Sequence, residues 1–274
     1  MPELPEVETI RQSLTSYLQG LTIEGCQVTL PKLVKNMAAD DFMAQLKGRT
    51  IREIGRRGKY LIFKLSRGYT LVVHLRMTGQ LRFCASDVPR PAHTHVVLEF
   101  SPDKELRYTD TRQFGAWFLA PDGEIGRVAG IDRLGVEPLS PEFTVEQLGT
   151  MLSLRRGKIK AVLLNQHIVA GIGNIYADEA LFAAGIHPER VASTLTPREL
   201  AALHFALQAL LTRAIELRGT SVRDYVDGSG LRGNFQTELK VYGRTDGLCR
   251  LCDTPLLRLV VAGRSTHLCP HCQI

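Results

Sequence analysis

Met1-Pro2-Glu3-Leu4-Pro5-Glu6 opens a chain of 274 residues. Pro5 suits the first turn of a helix, where its missing N–H would be unpaired anyway, and Glu6 suits the positive end of the helix dipole. Val7, Ile10, Leu14 and Leu18 follow at helical spacing, which predicts an amphipathic helix over about residues 5–18. The same residues permit a chemistry. A small second residue normally allows removal of the initiator methionine, which would leave Pro2 with a free secondary amine. An α-amino group titrates at about 7.7–8.0, so on the order of a tenth is neutral at pH 7. A lysine ammonium, near about 10.4, needs strong burial to match that. A neutral amine adds to aldehyde-like carbons, and a secondary amine gives a cationic iminium. A plain helix start and a nucleophilic N-terminus both fit these six residues.

The length allows one large domain or two ordinary ones with a sizeable core. No apolar run reaches the ~18–20 residues that cross a bilayer. The N-terminus lacks the basic-then-apolar layout of a secretory signal. The expectation is an intracellular protein, cytoplasmic if bacterial. The net charge is +6 at pH 7 and is unevenly spread. Residues 49–82 carry nine Lys/Arg against one acid, Glu53. Residues 83–150 carry six basic and eleven acidic residues, and residues 240–274 five and two. This asymmetry fits a polyanion partner on one face, and equally a solvated basic face. A membrane surface fits less well, because the basic block lies on strand-like sequence rather than an amphipathic helix.

Six cysteines divide into two kinds. Cys26 and Cys84 are isolated and read as reduced thiols in or near the core. Cys249-x2-Cys252-x16-Cys269-x2-Cys272 has the spacing of a structural zinc site, two thiolates from each of two tight turns closing a tetrahedron. A closed four-sulfur site holds a module together and does not activate water.

Between the first helix and about residue 121 the chain reads as strands. Residues 59–65 and 69–75 flank a Ser66-Arg67-Gly68 turn, Thr94–Phe100 follows, and residues 106–108 and 115–119 complete the set. Short β-rich runs separated by turns predict antiparallel hairpins packed as a sandwich or flattened barrel. Near residue 130 the pattern becomes helical. Thr144 with Gln147, and Thr196 with Pro197 and Glu199, read as helix starts. The second helix carries Leu200, Leu203, Leu207, Leu210, Leu211 and Ile215 and ends at Gly219. Residues 219–237 are Gly-rich and aperiodic, a long loop of the kind that forms functional lids.

Three constellations could carry function. Gly171-Ile172-Gly173-Asn174 precedes a helical run, and such a turn offers backbone N–H groups to a phosphate; an ordinary Gly-rich turn looks the same. Asn174 could cap that helix or donate to the phosphate. Arg155-Arg156-Gly157-Lys158-Ile159-Lys160 leads in, as in a helix-two-turn-helix that grips a DNA backbone. Asp110-Thr111-Arg112-Gln113-Phe114-Gly115 places an arginine and an aromatic on one face of an extended segment. Against duplex DNA, an aromatic wedge unstacks bases while arginine fills the gap, and Met77 could fill the same void. A core Phe114, a core Met77 and a surface Arg112 are the bland alternatives.

Pro2-Glu3-Leu4-Pro5-Glu6, Gly58-Lys59, Asp110–Gly115, Gly171–Asn174 and the four-cysteine tail together resemble the bacterial formamidopyrimidine-DNA glycosylases of the Fpg/Nei superfamily. Five motifs in register from the first residue to the last make the resemblance specific. It implies an α+β multidomain fold: an N-terminal helix plus antiparallel β-sandwich, then a helix-two-turn-helix domain with a four-cysteine zinc ribbon. The expected divisions are 1–132, 133–239 (including the lesion-recognition loop) and 240–274. It implies a bifunctional glycosylase and abasic-site lyase of base excision repair that flips 8-oxoguanine or formamidopyrimidines out of duplex DNA. Pro2 is then the nucleophile toward C1′ and Glu3 the acid/base at the sugar ring oxygen, with Glu6 in support. Lys59 and Arg264 act in elimination and hold phosphate. His93, Arg112, Arg156, Lys160, Asn174 and Tyr242 are the implied DNA contacts, and Met77, Arg112 and Phe114 fill the vacated space. One structural zinc, damaged double-stranded DNA as partner, a monomer, and no membrane or small-molecule cofactor complete the expectation, with use at the nucleoid.

Two rivals stand beside this reading. Endonuclease VIII-like proteins share the fold and the proline but prefer oxidised pyrimidines; they typically have Gly where this chain has Leu4, and lack the Arg112-Gln113-Phe114 wedge. A non-catalytic zinc-ribbon DNA-binding protein explains the charge and the cysteines, but not Pro2-Glu3 or Lys59.

Overall fold

The computed structural model describes residues 1–222 and 225–274. The loop expected over 219–237 includes Arg223 and Asp224, which lie outside the described residues. The chain divides into two compact units, residues 1–133 with 217–234, and residues 134–216 with 235–274.

The first unit opens with helix α1 (Leu4–Leu18), followed by β1 (Ile23–Val28), α2 (Ala39–Leu46), β2 (Ile51–Arg57), β3 (Tyr60–Leu65) and β4 (Tyr69–His74). Then come β5 (Gln80–Ala85), β6 (Thr94–Phe100), β7 (Lys104–Thr109), β8 (Ala116–Pro121) and the short α3 (Ile125–Ala129). Two four-stranded antiparallel sheets form, in the orders β1-β6-β7-β5 and β2-β3-β4-β8. The α1 stripe Val7, Ile10, Leu14 and Leu18 enters one continuous core with Leu61, Phe63, Leu98, Tyr108 and Trp117. Phe42 of α2 meets Trp117 edge-on at 6.3 Å between ring centroids. A region read wholly as strands therefore contains a helix. α2 has only eight residues and its N-cap, Ala38, offers no side-chain acceptor, so it carries no start signal.

The second unit comprises α4 (Val145–Ser153), α5 (Ile159–Leu163), α6 (Asn174–Ala183), α7 (Pro197–Glu216), β9 (Leu257–Val261) and β10 (Arg264–Leu268). Both expected helix starts are capped, the Thr144 one in one direction only and the Thr196 one reciprocally. Gln147 N–H donates to Thr144 Oγ1 at 3.2 Å. Thr196 N–H donates to Glu199 Oε2 at 2.7 Å, and Glu199 N–H donates back to Thr196 Oγ1 at 3.3 Å. The turn joining α5 to α6 is stapled by Gln166, whose amide accepts from Gly171 N–H at 2.9 Å and donates to Ile172 O at 2.8 Å.

Residues 217–234 cluster with the first unit, whereas the sequence division assigned them to 133–239. Hydrogen bonds explain the grouping. Thr220 N–H donates to Glu6 Oε1 at 2.7 Å, Gly228 N–H to Ser13 Oγ at 3.0 Å, and Phe83 N–H to Gly228 O at 3.0 Å. Leu14 lies beneath Gly228, where an added Cβ would come within 2.5 Å of it. Leu14→Ala should therefore cost about 2–5 kcal/mol in a urea unfolding titration. A loss below about 1 kcal/mol would contradict the packing assigned to α1.

Candidate active site and nucleic-acid interface

Pro2, Glu3 and Glu6 are all buried, Glu3 at 3% and Glu6 at 2% exposure. Glu6 sits in the first turn of α1, and one carboxylate oxygen accepts from Glu3 N–H at 2.8 Å. The other accepts from Thr220 N–H, so a single side chain fixes the start of the helix and the 217–234 loop together. Gly219, at φ +79°, passes so close that a Cβ would sit 2.9 Å from Glu6 Oε1. Tyr225 donates its hydroxyl to Glu6 O at 3.3 Å, and burial pushes that phenol well above its usual range.

Lys59 occupies the β2–β3 turn and is 5% exposed. The turn is tied to α1 by Arg56, which donates to Glu8 Oε2 at 3.1 Å and to Gly58 O at 3.0 Å. Burial raises the Glu8 carboxyl, but Arg11 and Arg56 more than offset this and hold it below the usual range. Beside Lys59 lies His74, whose Nδ1 accepts from Arg76 N–H at 2.9 Å and whose ring meets Tyr60 edge-on. Burial, then the charges of Arg76 and Lys59, push its pKa down to about 3, so this imidazole is neutral at pH 7. The basic block read from sequence is partly used up inside the unit. Arg49 is buried, bonded to Gln45 O and Ser66 O and stacked on Tyr69, so it is not available to a polyanion.

Met77 and Phe114 stand exposed at 41% and 53%. Arg112 is exposed and lies over the Phe114 ring at 4.9 Å. The pairing expected of an extended segment thus exists, but by a different route. Residues 110–115 form a turn with Gln113 at φ 57°. His93, exposed at φ 62°, lies just before β6.

The second unit holds the remaining candidates. Arg156 is exposed in the loop before α5. Arg264 is exposed just after a two-residue hairpin turn, Ala262-Gly263, with both φ positive as that tight turn requires. Asn174 is the first residue of α6, not its N-cap, which is Gly173. Its Nδ2 donates to Ser265 O at 2.8 Å, beside Arg264. Tyr242 is half-buried; its N–H donates to Glu179 Oε1 at 2.7 Å and its ring packs on His267. Burial raises the Glu179 carboxyl although three backbone N–H groups, from Lys240, Val241 and Tyr242, point at it.

Lys160 lies deeper than the other expected DNA contacts. Expected among the DNA contacts, it is 0% exposed. Its ammonium meets Asp178 Oδ1 at 2.6 Å, Thr266 Oγ1 at 2.7 Å and Ser265 O at 3.0 Å. Asp178 Oδ2 in turn accepts from His267 N–H at 2.9 Å. These contacts tie Lys160 to the β10 strand that carries Arg264.

The four cysteines of the tail are the one grouping of metal-ligand type among the described residues, with all sulfurs within 4.8 Å of one another. The separations Cys249–Cys272 3.9 Å, Cys252–Cys269 3.5 Å and Cys252–Cys272 3.4 Å match the edge of about 3.8 Å that bonds of about 2.3 Å to a tetrahedral zinc require. Leu251 N–H and Cys272 N–H each donate to a cysteine sulfur at 3.4 Å, orienting the thiolates from outside. The site takes one structural zinc. No helix among the described residues is long and apolar enough to cross a membrane.

Comparison with known proteins places these features. Residues 1–117 match the formamidopyrimidine-DNA glycosylase N-terminal domain, residues 134–226 its H2TH domain, and residues 248–274 a zinc finger found in FPG and IleRS. A formamidopyrimidine-DNA glycosylase of Pelotomaculum thermopropionicum is 49% identical over 100% of this chain and 99% of its own length. A Lactococcus lactis FPG variant solved with Fapy-dG-containing DNA is 40% identical, with a TM-score of 0.93 and 99% of each chain covered. The wild-type Lactococcus lactis protein solved with DNA containing an oxidised pyrimidine is 39% identical, TM-score 0.91, again over 99% of each chain.

Two measurements check this chemistry. The unfolded chain titrates histidine near about 6.5, whereas native His74 stays neutral to about pH 3. The unfolded state therefore binds the extra proton in that window, and His74 costs stability as pH falls through it, by up to about 1.4 kcal/mol per pH unit. His74→Asn, which keeps an acceptor for Arg76 N–H, should flatten the decline in urea-determined stability between pH 7 and pH 4.5. An unchanged slope would contradict the neutral assignment. Separately, a chelator should release one zinc per chain, counted with a zinc-responsive dye, and abolish hydrogen-exchange protection of the β10 amides. Protection that survives metal loss would show that the hairpin stands without it.

Proposed function

The chain belongs to the formamidopyrimidine-DNA glycosylase family, and from that membership we propose a bifunctional glycosylase and lyase that acts through Pro2 on oxidised purines in duplex DNA. DNA glycosylase activity comes with the family. The lyase step, the purine preference and the residue roles are this proposal. The observation that carries it is the buried start of α1: Pro2 and Glu3 are sequestered, Glu6 fixes the Glu3 backbone, and the Lys59 turn is tied to the same helix through Arg56 and Glu8.

Removal of Met1 exposes the Pro2 nitrogen. Its lone pair attacks the sugar C1′ as the bond from C1′ to the damaged base breaks, and the base leaves with that electron pair. The proton that the attack leaves on the Pro2 nitrogen passes to Glu3, which delivers it to the ring oxygen; the sugar opens, and the lone pair freed on nitrogen forms the iminium. This electron sink acidifies the C2′ proton, whose loss expels the 3′ phosphate; a further proton loss expels the 5′ phosphate. The α1 N-terminus disfavours the protonated amine by about 0.3–1 kcal/mol, which helps supply the neutral nucleophile, while Glu3 and Glu6 oppose it.

Lys59 assists elimination and holds phosphate in the first unit; Arg264 does so from the rigid hairpin of the zinc module. His93, Arg112, Arg156, Asn174 and Tyr242 are the DNA contacts, and Met77, Arg112 and Phe114 occupy the space left by the flipped base. The loop around 219–237 covers that base. Leu4 and the Arg112-Gln113-Phe114 turn favour purines. A range extending to oxidised pyrimidines is the second reading, favoured by the relative solved with such DNA.

Borohydride reduction during turnover of 8-oxoguanine opposite cytosine should trap a covalent protein–DNA adduct. Pro2→Gly should lower trapping by about 100-fold or more, and binding should weaken steeply with salt. No adduct with wild-type protein would overturn the mechanism, and trapping only with oxidised thymine would favour the pyrimidine reading.

A further inference from the structure

Asp110 is 1% exposed, and its four acceptor positions are all engaged. Oδ1 accepts from the Thr78 hydroxyl at 2.5 Å and from Arg112 N–H at 3.3 Å. Oδ2 accepts from Gly115 N–H at 2.9 Å and from the Tyr108 hydroxyl at 3.1 Å. A carboxylate has no proton to give, so it can only gather donors, and here it gathers them from three stretches of chain. Its backbone adds a fourth: Asp110 N–H donates to His93 O at 3.0 Å, and Asp110 O faces His95 Nε2 at 3.2 Å. Tyr108 closes the arrangement from below, since a Cβ at either Gly79 or Gly115 would collide with its hydroxyl.

Thr78 is the hinge of this cluster. Its hydroxyl donates to Asp110 and accepts from Arg112 N–H at 3.1 Å, so one oxygen ties the chain next to Met77 to the backbone of Arg112. Met77, Arg112, Phe114 and His93 are all exposed, yet the segments that carry them converge on one buried carboxylate.

We propose that Thr78 and Asp110 are positioning residues that lock the Met77 segment and the Arg112–Phe114 turn into one rigid wedge, so that lesion extrusion from a duplex depends on the Thr78 hydroxyl. The inference rests on the wedge role proposed above for Met77, Arg112 and Phe114. An aromatic on a loose turn gives way when pressed against stacked bases; held by a buried, fully bonded frame it transmits the force. The frame touches no reacting atom, so it governs duplex opening and not the sugar chemistry.

The test compares Thr78→Val, which removes both bonds at nearly constant volume, with Thr78→Ser, which keeps both. Single-turnover excision of 8-oxoguanine from duplex DNA should slow by about tenfold in Thr78→Val and recover in Thr78→Ser. Strand cleavage of a single-stranded abasic oligonucleotide, which has no stack to open, should be unchanged in both. A 2-aminopurine next to the lesion, in wild-type and variant complexes without borohydride, reads unstacking directly, and its fluorescence rise should be smaller with Thr78→Val. Equal slowing on both substrates, no slowing on either, or an undiminished fluorescence rise overturns the proposal. An absent borohydride adduct in the wild type sinks the Pro2 mechanism instead and leaves the fluorescence comparison valid, because that readout needs no covalent step.

Discussion

The Glu6 carboxylate, divided between two backbone N–H groups, is the constraint on which the first unit's chemistry depends. One oxygen holds Glu3 N–H and the other holds Thr220 N–H. A buried carboxylate left without such donors would cost several kcal/mol, so the loop and the helix start are each the condition for the other's burial. A chain terminus is ordinarily among the most mobile parts of a protein. Here residues 2–6 are held at the start of a core helix, as the nucleophilic role proposed for Pro2 requires. The same tie explains why a loop more than two hundred residues away in sequence belongs to the first compact unit.

The second unit solves a related problem with a buried ion pair. Arg264 stands at a hairpin tip held on one side by the cysteine cluster and on the other by Lys160, Asn174 and Asp178. A buried Lys–Asp pair contributes little net stability by itself, because desolvation offsets most of the attraction. Its value lies in direction. Lys160 reaches Ser265, Thr266 and Asp178 from where it sits, which fixes strand β10 on the helices below it.

Much of this was legible in the sequence, because the signals were local. The cysteine spacing, the Thr144 and Thr196 caps, the α1 stripe and most hairpin strands each depend on residues a few positions apart. What escaped notice depends on partners far apart. Lys160 lies in a run of basic residues and looked like a phosphate contact; Asp178 buries it, and nothing local links the two. Thr78 carries no local signal, since its partner, Asp110, is thirty-two positions away. Helix α2 was missed for the opposite reason, being short and without a capping side chain. Arg112 and Phe114 do lie together, but on a turn with Gln113 at positive φ rather than on the extended segment expected.

The proposed mechanism requires the Pro2 nitrogen to become the covalent link to DNA. Mass spectrometry of the proteolysed, borohydride-reduced complex tests it directly. The expected product is an N-terminal peptide that begins at Pro2, lacks Met1 and carries the reduced sugar on its first residue. A reduced sugar mapped to Lys59, or active protein that retains Met1, would contradict it.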